Sequence, residues 1–355
     1  MAALGLPEFP TYRLTLSADR ANNRRRPHPI ESSLMQDSIL NNIFSALFLA
    51  SILRVVTPIL LPSLGALVSN QAGVINVGLE GIMLAAAFTG AIVSANTQSA
   101  WIGALAGVLA GVALALLLAF FHLQMNGDLV LGGVAINILG SAGTVALMVQ
   151  LTGDQSSTSG LKSLLMPTID LPILKSIPLI GDFLYVVLGT QNIVTWLALL
   201  SVAAIWFLLY RTPIGRHIRA VGENPDAAAS VGIDVRRIRY LALGLSGALA
   251  GLGGVYMSMG YLTSFIRDMT AGRGFIALAT PALGNNAPLG TALASLFFGF
   301  AYAFSLRLGT LNIPPEYAQM IPYVATILAL VLNALSIRRV AAARARQYRE
   351  ARGAS

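Results

Sequence analysis

Long apolar runs separated by short polar breaks fill the chain from Ile39 to Ile337. A helix that crosses a bilayer needs roughly 20 mostly apolar residues. Seven stretches fit that length: Ile39–Val56, Trp101–His122, Leu129–Leu151, Asn192–Tyr210, Ile238–Tyr261, Gly290–Leu306 and Gln319–Ile337. Three more are short or interrupted. Val56–Ser69 carries Pro58 and Pro62, and Gly73–Val93 holds Gly73, Gly78, Gly81 and the charged Glu80. Arg273–Gly284 contains Pro281 and leads into Asn285-Asn286-Ala287-Pro288, which reads as a turn. Together these segments predict ten crossings.

Composition strengthens that reading. Of the 355 residues, 55% are hydrophobic and 11% charged, against about 25% charged in soluble domains. Mean hydropathy is +0.72. The net charge is +8, and only Lys162 and Lys175 among the 23 basic residues are lysines. The arginines gather in two tails and one loop beside apolar segments, a pattern of membrane topology rather than of nucleic-acid binding. Five lie in residues 1–38, six in Arg211–Arg239 and six in residues 338–355. The positive-inside rule makes all three cytoplasmic. The loop at 152–190, with two lysines against Asp154, Asp170 and Asp182, belongs outside. Five crossings on each side of that loop satisfy every sign. Eight crossings with two hairpins that do not span keep the same parity. No signal peptide is expected, because Arg24-Arg25-Arg26 lies far from the start and the apolar segment after it leads into more membrane. The chain has no cysteine, which excludes thiol and disulfide chemistry, and His28, His122 and His217 form no metal motif.

A weak internal echo divides the chain. Gln71-Ala72-Gly73 opens one interrupted segment and Thr270-Ala271-Gly272 the other. With five crossings per half, the second half lies inverted, and matched Gly/Pro-broken segments are the best sequence pointer to a transport site. The expected fold is an all-α polytopic membrane protein of about ten transmembrane helices, some short or broken, in two inverted halves. Its permease domain would span 39–337, between a cytoplasmic tail at 1–38 and a basic one at 338–355.

The polar island at 211–239 contains a punctuated helix. Asn224 is a favoured N-cap, Pro225 suits the first helical position, and Glu223 and Asp226 complement the helix dipole. Ala227, Ala228 and Ala229 follow, and Gly232 supplies a left-handed stop. About two turns are too short to be stable alone in water. The helix either lies on lipid or docks on a partner, and alanines suit close approach to protein better than anchoring in lipid. The chain has no Walker A loop, so any ATP must be hydrolysed by another subunit.

Ionisable groups at membrane depth mark functional sites. Glu80 is the sharpest candidate: it either accepts hydrogen bonds from a solute, or satisfies N–H groups of a broken helix or pairs with Arg273. Asn76, four residues earlier, would share its helical face. Asn137 is either a pathway amide or glue between helices. Phe275 either stacks on a base or sugar or contacts lipid. Arg267, Asp268 and Arg273 either line an outer mouth or form an interfacial ion pair, the latter being favoured. Asp128 suits the start of its helix. No catalytic arrangement is present.

Asp226-Ala227-Ala228-x-x-x-Gly232 resembles the Glu-Ala-Ala-x-x-x-Gly loop of permease subunits in bacterial binding-protein-dependent ABC importers. It departs in having Asp for Glu and in lacking a later Leu-Pro. Ala72–Leu84 ("AGVINVGLEGIML"), Arg211–Ile233 and Asp268–Ala279 ("DMTAGRGFIALA") resemble the branch handling sugars, nucleosides and branched-chain amino acids. The likeness is greatest to its nucleoside and simple-sugar permeases. It implies a bacterial inner-membrane protein whose Gly222, Glu223, Asn224, Pro225, Asp226, Ala227, Ala228 and Gly232 couple to an ATP-binding subunit. It also implies a second permease subunit, copy or paralogue, and an extracytoplasmic solute-binding protein or lipoprotein. Lipids surround the chain, no cofactor is bound by it, and ATP and Mg are used by the partner. Asn76, Glu80, Asn137, Arg273 and Phe275 are the candidate pathway residues. The rival reading is an ion-coupled secondary transporter with inverted repeats.

Overall fold

The computed structural model describes residues 46–176, 181–308, 320, 324–328 and 331. Both tails and most of the segment expected at Gln319–Ile337 lie outside the described residues. Among the described residues seven helices are long and apolar enough to cross a membrane. They are α1 (Ala46–Gln71), α2 (Leu79–Thr97), α3 (Ala100–Leu123), α4 (Leu129–Thr152), α6 (Ile193–Arg211), α9 (Val235–Val255) and α11 (Pro288–Leu308). A π-helical turn at Tyr256–Tyr261 extends α9. The shorter helices are α5 (Gly181–Leu188), α7 (Pro213–Glu223), α8 (Pro225–Ser230) and α10 (Arg273–Leu283).

The crossing expected at Val56–Ser69 is not separate. α1 runs unbroken through Pro58 and Pro62. Proline removes the N–H that would bond the carbonyl four residues back, so Pro62 frees the carbonyl of Pro58. That carbonyl lies beside Gly253 of α9, where an added Cβ would stand 3.6 Å from it and 3.0 Å from Pro62 Cδ. The Thr57 and Ser63 hydroxyls donate to Leu53 O and Ile59 O at 2.8 and 2.6 Å. Neighbouring helices and such hydroxyls let a membrane helix carry proline without ending.

The helices run between two ends. At one, α1 finishes against α7: a Cβ on Gly222 would be 2.1 Å from Gln71 O. Gln71 Nε2 also donates to Asn286 O at 2.6 Å, in the turn before α11. At the other end lies the long loop after α4, where Leu164 N donates to Ser94 Oγ and Met166 N to Met259 O. α1 and α9 therefore cross the bundle in opposite directions and pack on each other. α9 packs on α2 and α3 as α1 packs on α10 and α11. This exchange of partners is the inverted relation expected from the repeat.

Each of these units contains a break. Residues 72–78 leave the α7 end and reach α2, which begins inside the bundle beside Ile136 and Asn137 of α4. Residues 262–272 descend from the long-loop end to α10, which begins beside Glu80. The two breaks meet there.

Candidate functional site

Glu80 stands in the first turn of α2, 8% exposed, and its carboxylate grips the second break. Oε1 accepts from Thr270 Oγ1 at 2.5 Å and from Gly272 N at 2.8 Å, while Oε2 accepts from Gly274 N at 2.7 Å. The first N–H groups of a helix have no partner within it, and this helix has no side-chain cap of its own. A carboxylate is the strongest acceptor for them. Close fit is required as well: a Cβ on Gly274 would sit 2.6 Å from Glu80 N. Of the two roles open to Glu80, the geometry fulfils the broken-helix one. The donors are the Thr270 hydroxyl and the N–H groups of Gly272 and Gly274, in the segment that the Thr270-Ala271-Gly272 echo marks without naming a partner for it.

The alternative partner considered for Glu80, an ion pair with Arg273, does not form. The Arg273 guanidinium lies 4.2 Å over the ring of Tyr302 on α11, and its Nη1 donates to Met269 O and Thr270 O at 3.1 and 3.0 Å. Arg273 therefore holds the carbonyls of the same break whose N–H groups Glu80 holds.

Asn76 does not share a helical face with Glu80, because residues 72–78 are not helical. It is fully buried, donates to Ser246 Oγ at 3.0 Å and accepts from Gly78 N at 3.2 Å. Asn137 reaches across from α4: its Oδ1 accepts from Gly81 N at 2.8 Å and its Nδ2 donates to Val77 O at 2.9 Å. Both amides mend the first break as Glu80 mends the second.

Beside this latch is a cleft of about 430 Å³ lined by Glu80, Asn137, Ser141, Asp268, Gly272 and Phe275, among others. Phe275 is 50% exposed. Asp268 accepts from Ser141 Oγ at 2.8 Å and pairs with Arg267 Nε at 3.5 Å, while Arg273, grouped with them in the sequence, is engaged with Tyr302 and the carbonyls of the break instead. Asp268 and Ala271 hold left-handed backbone, at φ 50° and 45°, and Gly272 at 79°. Glycine adopts this backbone freely, so the strain of the kind found at functional sites rests on Asp268 and Ala271.

At the α7 end the island contains two helices rather than one. Thr212 caps α7 by accepting from Gly215 N at 3.1 Å, with Pro213 in its first position. The Thr-Pro pair was the available signal. Asn224 closes α7 and caps α8, its Oδ1 accepting from Ala227 N at 3.0 Å. α8 buries Ala228 and exposes Asp226, Ala227, Ala229 and Ser230. Gly232 follows at φ 85° with open space around it.

Residues 48–330 match the family described as branched-chain amino acid transport system, permease component. The chain belongs to this family. The permease is 36% identical over 285 residues to the guanosine ABC transporter permease protein NupQ of Bacillus subtilis, covering 77% of this chain and 87% of that one. It is 32% identical over 297 residues to the nucleoside ABC transporter permease protein NupC of Lactococcus lactis, covering 81% and 92%. It also resembles the glucose ABC transporter permease protein TsgB13 of Haloferax volcanii, at 26% over 266 residues, covering 72% and 68%. This permease is thus a multi-pass transport component of an ABC system. Within it, Glu80, Asn76, Asn137 and Arg273 form one hydrogen-bonded knot around the two breaks, whereas Phe275 faces the cleft.

Proposed function

We propose that this permease is the membrane subunit of an importer that carries a nucleoside or simple sugar inward across a bacterial inner membrane. ATP with Mg is hydrolysed by a separate subunit docked on α8, a second permease subunit completes the pathway, and an extracytoplasmic binding protein delivers the solute at the long-loop end. Both tails are cytoplasmic, on the side of α7 and α8. The observation that carries the docking role is the seating of α8. It presents small side chains outward, and the helix before it is seated against α1 through Gly222 and Gln71. A partner pulling on α8 thereby moves α7 and the end of α1, rather than a loose loop. The relatives NupQ and NupC support a nucleoside as cargo, and TsgB13 supports a sugar.

The test is uptake into proteoliposomes holding both permease subunits and the ATP-binding subunit, with the binding protein supplied outside. ATP-dependent uptake of guanosine, ribose or glucose is expected. Uptake sustained by an ion gradient without the ATP-binding subunit would overturn this reading in favour of a secondary transporter.

A further inference from the structure

The polar groups of Glu80 and Asn137 line the cleft, yet they are engaged with the backbone of the breaks. Recognition of a passing solute falls to the residues on the rim that face open space. Asp268 is the charged one, its side chain 53% exposed. Its Oδ1 is joined to Ser141 on α4 at 2.8 Å, and its Oδ2 stands 3.5 Å from Arg267 Nε. Phe275 offers a half-exposed ring to the same space. The volume of about 430 Å³ lies within the roughly 300–1,000 Å³ of small-molecule sites.

We infer that Asp268 and Ser141 form a subsite for the vicinal diol of a sugar ring, with Phe275 as the platform on which the attached base stacks. This rests on the proposed nucleoside or sugar cargo and assigns which residues read it. A carboxylate carries two acceptor oxygens, one for each hydroxyl of a diol. A serine hydroxyl beside it both donates and accepts, so it turns from Asp268 to the solute without leaving a group unpaired. An aromatic face tolerates any base, because every base has a π face. The left-handed backbone at Asp268 (φ 50°) sets the carboxylate at the rim, and Asp is among the few residues that adopt it readily.

The experiment uses the full complex in proteoliposomes and compares uptake of guanosine, 2′,3′-dideoxyguanosine and ribose. Asp268→Asn keeps the size and the left-handed preference but removes the charge. It is expected to lower guanosine uptake about ten-fold and to leave the dideoxy compound within about two-fold, since a charged hydrogen bond contributes of that order. Arg267→Ala, which removes only the ion-pair partner, should keep the wild-type ratio. Phe275→Ala separates the two sources of a diol: guanosine uptake falls about ten-fold and ribose uptake does not. Equal losses for guanosine and the dideoxy compound in Asp268→Asn, or no loss, would overturn the diol subsite. Equal losses of guanosine and ribose in Phe275→Ala would overturn the stacking platform. If the unaltered complex imports none of guanosine, ribose and glucose, it is the cargo reading that fails, and the variants are not needed to show it.

Discussion

Gly81 of α2 and Gly140 of α4 touch backbone to backbone: a Cβ on Gly140 would stand 2.4 Å from the Gly81 Cα. Helices in a bilayer associate by close packing rather than by escape from water, so glycine pairs of this kind decide where two helices meet. The contact lies one residue from Glu80, and Gly81 N donates to Asn137 Oδ1 at 2.8 Å. Packing and hydrogen bonding therefore hold the same point.

Gly140→Ala should separate α2 from α4 and weaken the Gly81–Asn137 bond. Overpacking costs about 1–3 kcal/mol, and a lost internal hydrogen bond adds about 1 kcal/mol. Thermal melting of the detergent-purified permease should show a clear fall. Gly143→Ala, three residues on with only Leu139 Cδ1 within 4 Å at 3.7 Å, should melt like the parent. Matching melts for the two variants would remove close packing as the reason for the glycine.

Glu80→Gln tests the latch. The amide keeps the shape but turns one of two acceptors into a donor, which then faces an N–H of α10 or the Thr270 hydroxyl. Leaving a buried group unsatisfied costs about 1–3 kcal/mol. The expected result is a destabilised permease whose α10 N-terminal amides exchange faster with deuterium. A variant that melts normally and only loses uptake would make Glu80 a solute ligand instead.

Arg273→Lys should be a poor substitute. The guanidinium stacks on Tyr302 while bonding two carbonyls from one nitrogen, and a lysine ammonium lacks the planar face for that stack. A loss of about 1–2 kcal/mol is expected from the cation–π contact. Tyr302→Leu should produce a similar loss in melting, and combining the two should add little. Full additivity of the two losses would show that the ring and the arginine act separately.

The sequence made the punctuated helices legible because their signals are local. Asn224, Pro225 and Gly232 stand where their side chains and backbone preferences require, and Asp128 caps α4 by accepting from Leu131 N at 2.9 Å. It failed where the deciding partner lies far along the chain. Pro58 and Pro62 look like a helix break until Gly253 on α9 accommodates them. Asn76 looked helical by its spacing to Glu80, yet its bond to Ser246 fixes it in the break. Glu80 was recognised as important from its depth alone. Its three donors lie 190 residues or more away, and two are backbone groups with no side-chain signature. The last expected crossing, Gln319–Ile337, falls mostly outside the described residues.

The final prediction separates docking from folding at the α7 end. Gly232 has room around it, so a large side chain there meets no neighbour within 4 Å of the new Cβ. The left-handed backbone costs a non-glycine residue about 1–2 kcal/mol, which a packed permease should survive. Gly232→Trp should therefore melt within a few degrees of the parent, while the bulky ring beside α8 blocks the surface offered to the ATP-binding subunit. Gly222→Ala acts on the other face of the same platform. Its Cβ would press within 2.1 Å of Gln71 O, so it should lower the melting temperature and displace α7 from α1. Co-purification with the ATP-binding subunit, read beside the melts, distinguishes the two. Loss of the partner by a stably folded Gly232→Trp is the expected outcome. Full retention of the partner and of ATP-dependent uptake in that variant would move the docking surface away from α8.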